Sequence, residues 1–251
     1  MHIIAHEEGR VLYLHYGLWS EPNDTLWTAQ ERSTEVLLSR LPPAPAAILD
    51  VGIGLGTTLG WLAVKGYSAF GITPDEHQIE MVRQKYEGVP VRRAAFETLD
   101  AEGRTFDAIL FQESSQYIDS EALFAKAATL APRVLVLDEF ALEPLEEEGA
   151  LRSRAGFLAA AERHGFTITE EVDYSKEAAP TMDYFTDLIP SYRDRLIADL
   201  GITSQQVDEL VVSGAKYRQR YANGIYGYRL FSLLRKEDPC SGMPSSSPLS
   251  P

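Results

Sequence analysis

Ile48-Leu49-Asp50-Val51-Gly52-Ile53-Gly54-Leu55-Gly56 decides how this chain folds. A short apolar run ends in an acid, and glycines follow at alternate positions. This reads as a buried strand entering a tight turn, with helix-forming residues taking over from Thr57. Glycine is needed where the backbone takes φ > 0 or lets a ligand lie against it. The helix beyond the turn offers free N–H groups and the positive end of its dipole to a bound group.

Outward from that turn the pattern alternates between strand and helix. Before it, residues 25–41 carry a helical stripe of Val36, Leu37, Leu38 and Leu41, broken by Pro42-Pro43-Ala44-Pro45. After it come a helix over 57–65 closed by Gly66, a strand over 67–72 and a helix ending at Gly88. Thr73 reads as the N-cap of that last helix, with Pro74 at its first position and Glu76 closing a capping box. Further strands are expected at 91–95, 105–111, 133–137, 166–173 and 225–234, with helices at 122–130 and 151–164. That order predicts an α/β fold, a doubly wound, Rossmann-like sheet. Between the sixth and last strands stand some 45 residues, 174–221, with helical patterns at 182–188, 191–200 and 204–221, the last capped by Ser204. They are rich in tyrosine (Tyr184, Tyr192, Tyr217, Tyr221), and so long an insertion is expected to cover a site.

Composition bounds the function. The 251 residues suffice for one large domain, and 45% apolar with 24% charged residues is ordinary for a globular protein. A net charge of −14 opposes binding to nucleic-acid phosphate. The single Cys240 stands in a Pro/Ser-rich tail, 237–251, expected to be disordered, which leaves no disulfide framework and no cysteine zinc site. No apolar run approaches the ~18 residues of a membrane span, and the N-terminus lacks a signal-peptide pattern, so a cytoplasmic protein without stable membrane association is expected.

Spacing separates the cofactors that such a turn can serve. A dinucleotide site wants G-x-G-x-x-G and an acid about 20 residues on. Here Gly52 and Gly54 fit, but Thr57 stands at the third glycine position. The observed D-x-G-x-G-x-G, with Asp50 two residues before Gly52 and with Gly54 and Gly56 following, resembles motif I of the class I S-adenosylmethionine (SAM) methyltransferases. Further resemblance is to the subgroup of cyclopropane-synthase-like, tocopherol-type and sugar O-methyltransferase enzymes. It rests on His15-Tyr16-Gly17-Leu18-Trp19, on Leu26-Trp27-x-x-Gln30, on Gly71-x-Thr73 with Gln78, and on Gln112-Glu113-Ser114-Ser115-Gln116-Tyr117. It spans roughly 15–175 and 225–235.

The resemblance implies a seven-stranded sheet with an antiparallel last strand and a helical cap. The chain would divide into an N-terminal segment covering the SAM site (1–45), a SAM-binding core (46–175), the cap (176–222) and the last strand of the core (223–236), followed by the tail. It implies Tyr16 and Trp27 beside the cofactor, with Tyr16 reaching the SAM carboxylate, and Asp50, Gly52, Gly54 and Gly56 around its methionine part. Thr73 and Gln78 would take the ribose, in place of the more usual acid. Ala95, Phe96 and Glu97 would read the adenine, Phe96 by stacking, and Gln112 would complete the cofactor set. Asp75-Glu76-His77 departs from the subgroup's serine-containing pattern, and Ala95 from the common Asp.

SAM carries its own electrophile, so the protein mainly aligns the acceptor, and an oxygen acceptor adds the need for a base. Glu113, His15 and Tyr117 are the catalytic candidates, Glu113 foremost; Asp138 and Glu139 are further acids at a strand end. No metal ligand set accompanies them. The expected activity is methyl transfer to oxygen or carbon of a small specialised metabolite. N-methylation, lipid cyclopropanation and a non-catalytic partner protein with this fold are the alternatives, and a homodimer is compatible with the sequence.

Overall fold

In the computed structural model, which describes residues 2–236 apart from 144, 146 and 148, the quoted stretch forms the central strand and its turn. The tail and Cys240 lie outside the described residues. Strands β1 (Ala47–Val51), β2 (Ser68–Thr73), β3 (Val91–Arg93), β4 (Ala108–Gln112), β5 (Arg133–Ala141), β6 (Phe166–Asp173) and β7 (Tyr226–Arg235) form one sheet. Their order is β3-β2-β1-β4-β5-β7-β6. The first five run parallel, and β7 enters antiparallel between β5 and β6. From β1 the chain builds outward to one side through β2 and β3, then returns to build the other through β4 and β5. The crevice at the carboxyl ends of β1 and β4 is therefore the switch point where such sheets bind ligands.

The helices are α1 (His2–Glu7), α2 (Leu26–Leu38), α3 (Thr57–Val64), α4 (Glu76–Lys85), α5 (Ser120–Leu130), α6 (Arg154–Arg163), α7 (Ser175–Leu188), α8 (Arg193–Leu200) and α9 (Ser204–Ala222). One sheet face packs on α5 and α6 through a phenylalanine cluster: Phe157 lies 4.9 Å from Phe124, 5.1 Å from Phe140 and 5.9 Å from Phe231, centroid to centroid. The other face packs on α2, α3, α4, α7 and α9. A satellite cluster of Ile3, Leu196 and Val207 joins α1 to α8 and α9. Among the described residues no helix is long and apolar enough to cross a membrane.

Three local expectations are corrected. Thr73 does not cap α4. It still belongs to β2, in register with Arg93, and Asp75 is the cap, its Oδ1 accepting the N–H groups of His77 and Gln78. Ser204 does not cap α9. Thr203 does, in a reciprocal box with Gln206. Strand five does not end at residue 137 but continues to Ala141, because antiparallel pairing with β7 holds Asp138, Glu139 and Phe140 in the ladder. Adjacent strand residues point to opposite faces, so Asp138 and Glu139 cannot share an ion.

Candidate active site

Asp50, the last but one residue of β1, is almost fully buried, and its Oδ2 has no hydrogen-bond partner among the described residues. Burial alone pushes its carboxyl up to about 7. It opens onto a cavity of about 430 Å³ at the switch point. Gly52 has φ +77, and a Cβ there would overlap that of Ser114 after β4, so this glycine lets two strand ends close together. Gly54 differs. At φ +51, its nearest neighbours are Leu14 side-chain atoms at 3.7 Å and beyond, and the space above it is the cavity. Gly56 does not line the cavity. It begins α3 at φ +74, where a Cβ would meet Val82 at 2.6 Å, so it is a glycine for packing α3 on α4.

The neighbouring strand ends complete the wall. Thr73 donates its hydroxyl proton to Gln78 Oε1 at 2.9 Å, and both residues line the cavity beside β2. Ala95, Phe96 and Glu97 line it beyond β3, with Ala95 and Glu97 exposed. Phe96 is mostly core: it is 2% exposed and packs edge-on against Phe111 at 5.1 Å. Gln112, Glu113 and Tyr117 come from the end of β4 and the 3₁₀ turn Ser115–Tyr117, with Tyr117 largely exposed.

Leu12, Tyr13, Leu14 and His15 of the N-terminal segment close the cavity. A directed hydrogen-bond chain holds that segment down. Thr58 Oγ1 donates to Gln112 Oε1 at 3.0 Å, so Gln112 Nε2 donates to Thr34 Oγ1 at 3.2 Å. The Thr34 proton is then directed to His15 Nε2 at 3.2 Å, and His15 Nδ1–H donates to the Tyr16 carbonyl at 2.9 Å. Both ring nitrogens are thereby used, and burial lowers the imidazole to about 4. His15 is a neutral pin for the segment, with no nitrogen left to serve an acceptor.

Besides Gly56, two residues of the expected cofactor set do not line this cavity. Tyr16 does not line the cavity; its ring stacks on Tyr228 at 5.8 Å and its hydroxyl lies 2.7 Å from Met182 Sδ of α7. The turn away has a steric cause: a Cβ at Gly17 would come within 2.5 Å of Ala29, so the segment threads tightly between α2 and α7. Thr181 pins it from the other side, accepting from the Gly17 N–H and from Trp19 Nε1. Trp27 on α2 is likewise outside the cavity, under the Arg10 guanidinium at 4.2 Å.

Glu113 is the centre of the remaining chemistry. It is a non-glycine residue at φ +52, a strained conformation of the kind held at functional sites. Its Oε1 accepts from the Tyr16 N–H and from the Tyr228 hydroxyl, both at 2.6 Å. Burial, then the neighbouring Glu139, holds its carboxyl well above the usual range. Glu139 is buried too: Tyr221 donates to Oε1 at 2.6 Å and Tyr217 to Oε2 at 3.1 Å, and burial lifts it to about 7. Asp138, on the opposite face, instead accepts from Ser115 Oγ at 2.6 Å and sits by the Arg152 charge. The tyrosine partners are what the sequence reading missed. Tyr226 and Tyr228 at alternate positions of an otherwise apolar strand, and Tyr217 and Tyr221 one helical turn apart, were the available signal.

Comparison with known proteins agrees with this architecture. A family described as "Methyltransferase domain" matches residues 48–135. The chain is 32% identical over 195 residues to an O-methyltransferase of Pyrenophora dematioidea, covering 67% of this chain and 73% of that protein. It is 28% identical over 217 residues to methyltransferase GfsG of Streptomyces halstedii, covering 74% and 78%. Among solved structures, the [4+2]-cyclase SpnF superposes with TM-score 0.78 at 17% identity, covering 94% of this chain and 93% of that one. Cyclopropane synthase MmaA2 of Mycobacterium tuberculosis gives 0.77 at 16%, covering 89% and 90%. At such identities these two are likenesses of fold. The chain belongs to the class I SAM-dependent methyltransferases, and its cofactor is SAM.

Proposed function

We propose that this enzyme methylates a hydroxyl oxygen of a small specialised metabolite in the cytoplasm, with Glu113 as the base. The cavity fits SAM: the orphaned Asp50 Oδ2 suits an ammonium group, and the space over Gly54 beside the start of α3 suits the methionine carboxylate. Thr73 and Gln78 would take the ribose hydroxyls, Ala95 to Glu97 would border the adenine, and Gln112 would hold the wall through Thr58 and Thr34. Bound SAM supplies the methyl group as an electrophile.

The observation that carries the assignment is Glu113 itself. It stands on the cavity wall at a strained backbone position with Oε1 occupied by two donors, which leaves Oε2 to accept the acceptor's hydroxyl proton. Once ionised, a carboxyl raised in this way is a stronger base than an ordinary carboxylate. Tyr117, exposed at the mouth, suits contact with the body of the acceptor. The helices α7 to α9 act as the cap that excludes water. The O-methyltransferases among the relatives favour oxygen. A carbon acceptor, deprotonated by the same Glu113, is the second reading, favoured by the absence of a free histidine at this site among the described residues.

Two variants test it. Gly54→Arg fills the cavity and should abolish calorimetric binding of S-adenosylhomocysteine (SAH) while the fold persists; retained affinity would refute the cavity. With acceptors found by assaying hydroxylated metabolites for SAH release, Glu113→Gln should lower kcat by about a hundredfold or more and leave SAH affinity within about tenfold. Undiminished kcat removes Glu113 as base.

A further inference from the structure

Glu113 directly follows β4 and Glu139 lies within the neighbouring parallel strand β5, and the donors that reach them are tyrosine hydroxyls and one backbone N–H. Among the described residues no lysine or arginine bonds either carboxylate; Arg152 donates to Ser115 and its charge acts on Asp138, which points to the opposite face. Glu139 is buried and Glu113 half-buried, and carboxylates so withdrawn from water without a counter-cation favour holding a proton or meeting a positive charge from a ligand. One of the two, Glu113, forms cavity wall; the other does not, but lies close enough for its charge to act on Glu113. SAM and its product differ by one permanent positive charge, on sulfur.

We infer that Glu113, backed by Glu139, is a charge-selective subsite that recognises the sulfonium, so that the enzyme holds SAM more tightly than SAH and releases its product. The glycine turn, Asp50 and the ribose-side pair Thr73 and Gln78 contact parts common to both molecules and cannot distinguish them. A charge beside a buried carboxylate can, and the selectivity is moderated because Glu113 gives up a proton to meet it. The groups facing this carboxyl are Glu139 from β5, Tyr16 from the N-terminal segment, Tyr117 from the 3₁₀ turn, Tyr228 from β7, and Tyr217 from α9 beyond Glu139, while Asp138 acts on it through its charge from the opposite face of β5. The inference rests on SAM occupying the cavity, and does not depend on which acceptor is used.

The test is calorimetric titration of the full chain with SAM and with SAH at pH 7.5, each in two buffers of different ionisation enthalpy. Wild type should prefer SAM by about tenfold or more, with proton release on binding SAM exceeding that on binding SAH by roughly half a proton. In Glu113→Gln the preference should fall within about threefold through weaker SAM binding, SAH affinity serving as the control for folding. Glu139→Gln should move it the same way by less. Equal wild-type affinities with equal proton release, or a preference that survives in Glu113→Gln, overturns the inference. If Glu113→Gln does not fold, the wild-type comparison of proton release decides alone. Failure of both SAM and SAH to bind wild type, or undiminished binding of either to Gly54→Arg, would instead sink the cavity assignment.

Discussion

Asp50 and His15 are buried ionisable side chains on the same cavity, and they shift in opposite senses for one reason. Burial disfavours the charged form, which raises the carboxyl to about 7 and lowers the imidazole to about 4. The consequences for stability have opposite signs. Between the unfolded carboxyl value near 4 and about 7, the unfolded state has lost Asp50's proton and the folded state has not. Stability from this residue therefore falls as pH rises through that window and is fully lost above it. His15 does the reverse: below about 6.5 the unfolded state gains a proton that the folded state refuses, so stability falls on acidification towards 4. Asp50→Asn keeps the shape and removes the charge. Denaturant titration of the ligand-free variant should show a gain of about 2 kcal/mol at pH 8, shrinking towards pH 5, with SAM binding weakened. A gain that does not change with pH would sink this account. One cavity is lined by Asp50, Thr73 and Glu113 from the carboxyl ends of parallel strands and by Gln78 from the first turn of α4, residues that the strand pattern and the family resemblance had each pointed to. Tyr16, Trp27 and Gly56 do not line it, because the packing of Gly17 on Ala29, of Trp27 under Arg10 and of Gly56 on Val82 depends on contacts between distant parts of the chain that a local pattern does not carry.

At the scale of elements, hydrophobic pattern located all seven strands, and β6 matches its expected span. What periodicity does not carry is where a ladder stops. Asp138 and Glu139 read as a polar strand end, yet they lie inside β5 because β7 pairs along it from Ala141 to Arg133. Helix starts depend likewise on where the preceding segment lets go. Thr203 and Ser204 are chemically equal as caps, and only the path out of Gly201 decides between them. Thr203 Oγ1 accepts from the Gln206 N–H at 3.1 Å while Gln206 Oε1 accepts from the Thr203 N–H at 2.8 Å. Thr203→Ala should therefore cost about 1 kcal/mol in chemical denaturation, and Ser204→Ala no more than a few tenths. Equal costs would mean that the reciprocal box contributes nothing to α9.

At the scale of the molecule, the helices α7 to α9 share a small core with α1 in addition to the packing of α7 and α9 on the sheet. Val207 and Leu196 pack with Ile3 of α1, away from the main core, whereas Tyr217 and Tyr221 reach inward one turn apart to the two oxygens of Glu139. Tyr217 also packs at 60° on Tyr226 of β7 at 5.0 Å. The double variant Tyr217→Phe and Tyr221→Phe retains the rings and removes both donors, leaving a buried carboxylate with unmet oxygens. Each lost bond costs about 1–3 kcal/mol when the acceptor is left unsatisfied. Glu139 can escape part of that cost by holding its proton, which is easier below its value of about 7. The tie should thus weaken more at pH 8 than at pH 5.5. Hydrogen exchange followed by mass spectrometry should show amides of α9 opening between about ten- and a hundredfold faster at pH 8, relative to wild type at the same pH. Amides of β1 and β4 should be unchanged, since the sheet's own pairing does not pass through Glu139. Acceleration spread evenly over sheet and helices would show that the two tyrosines support the whole fold rather than the attachment of its helical layer.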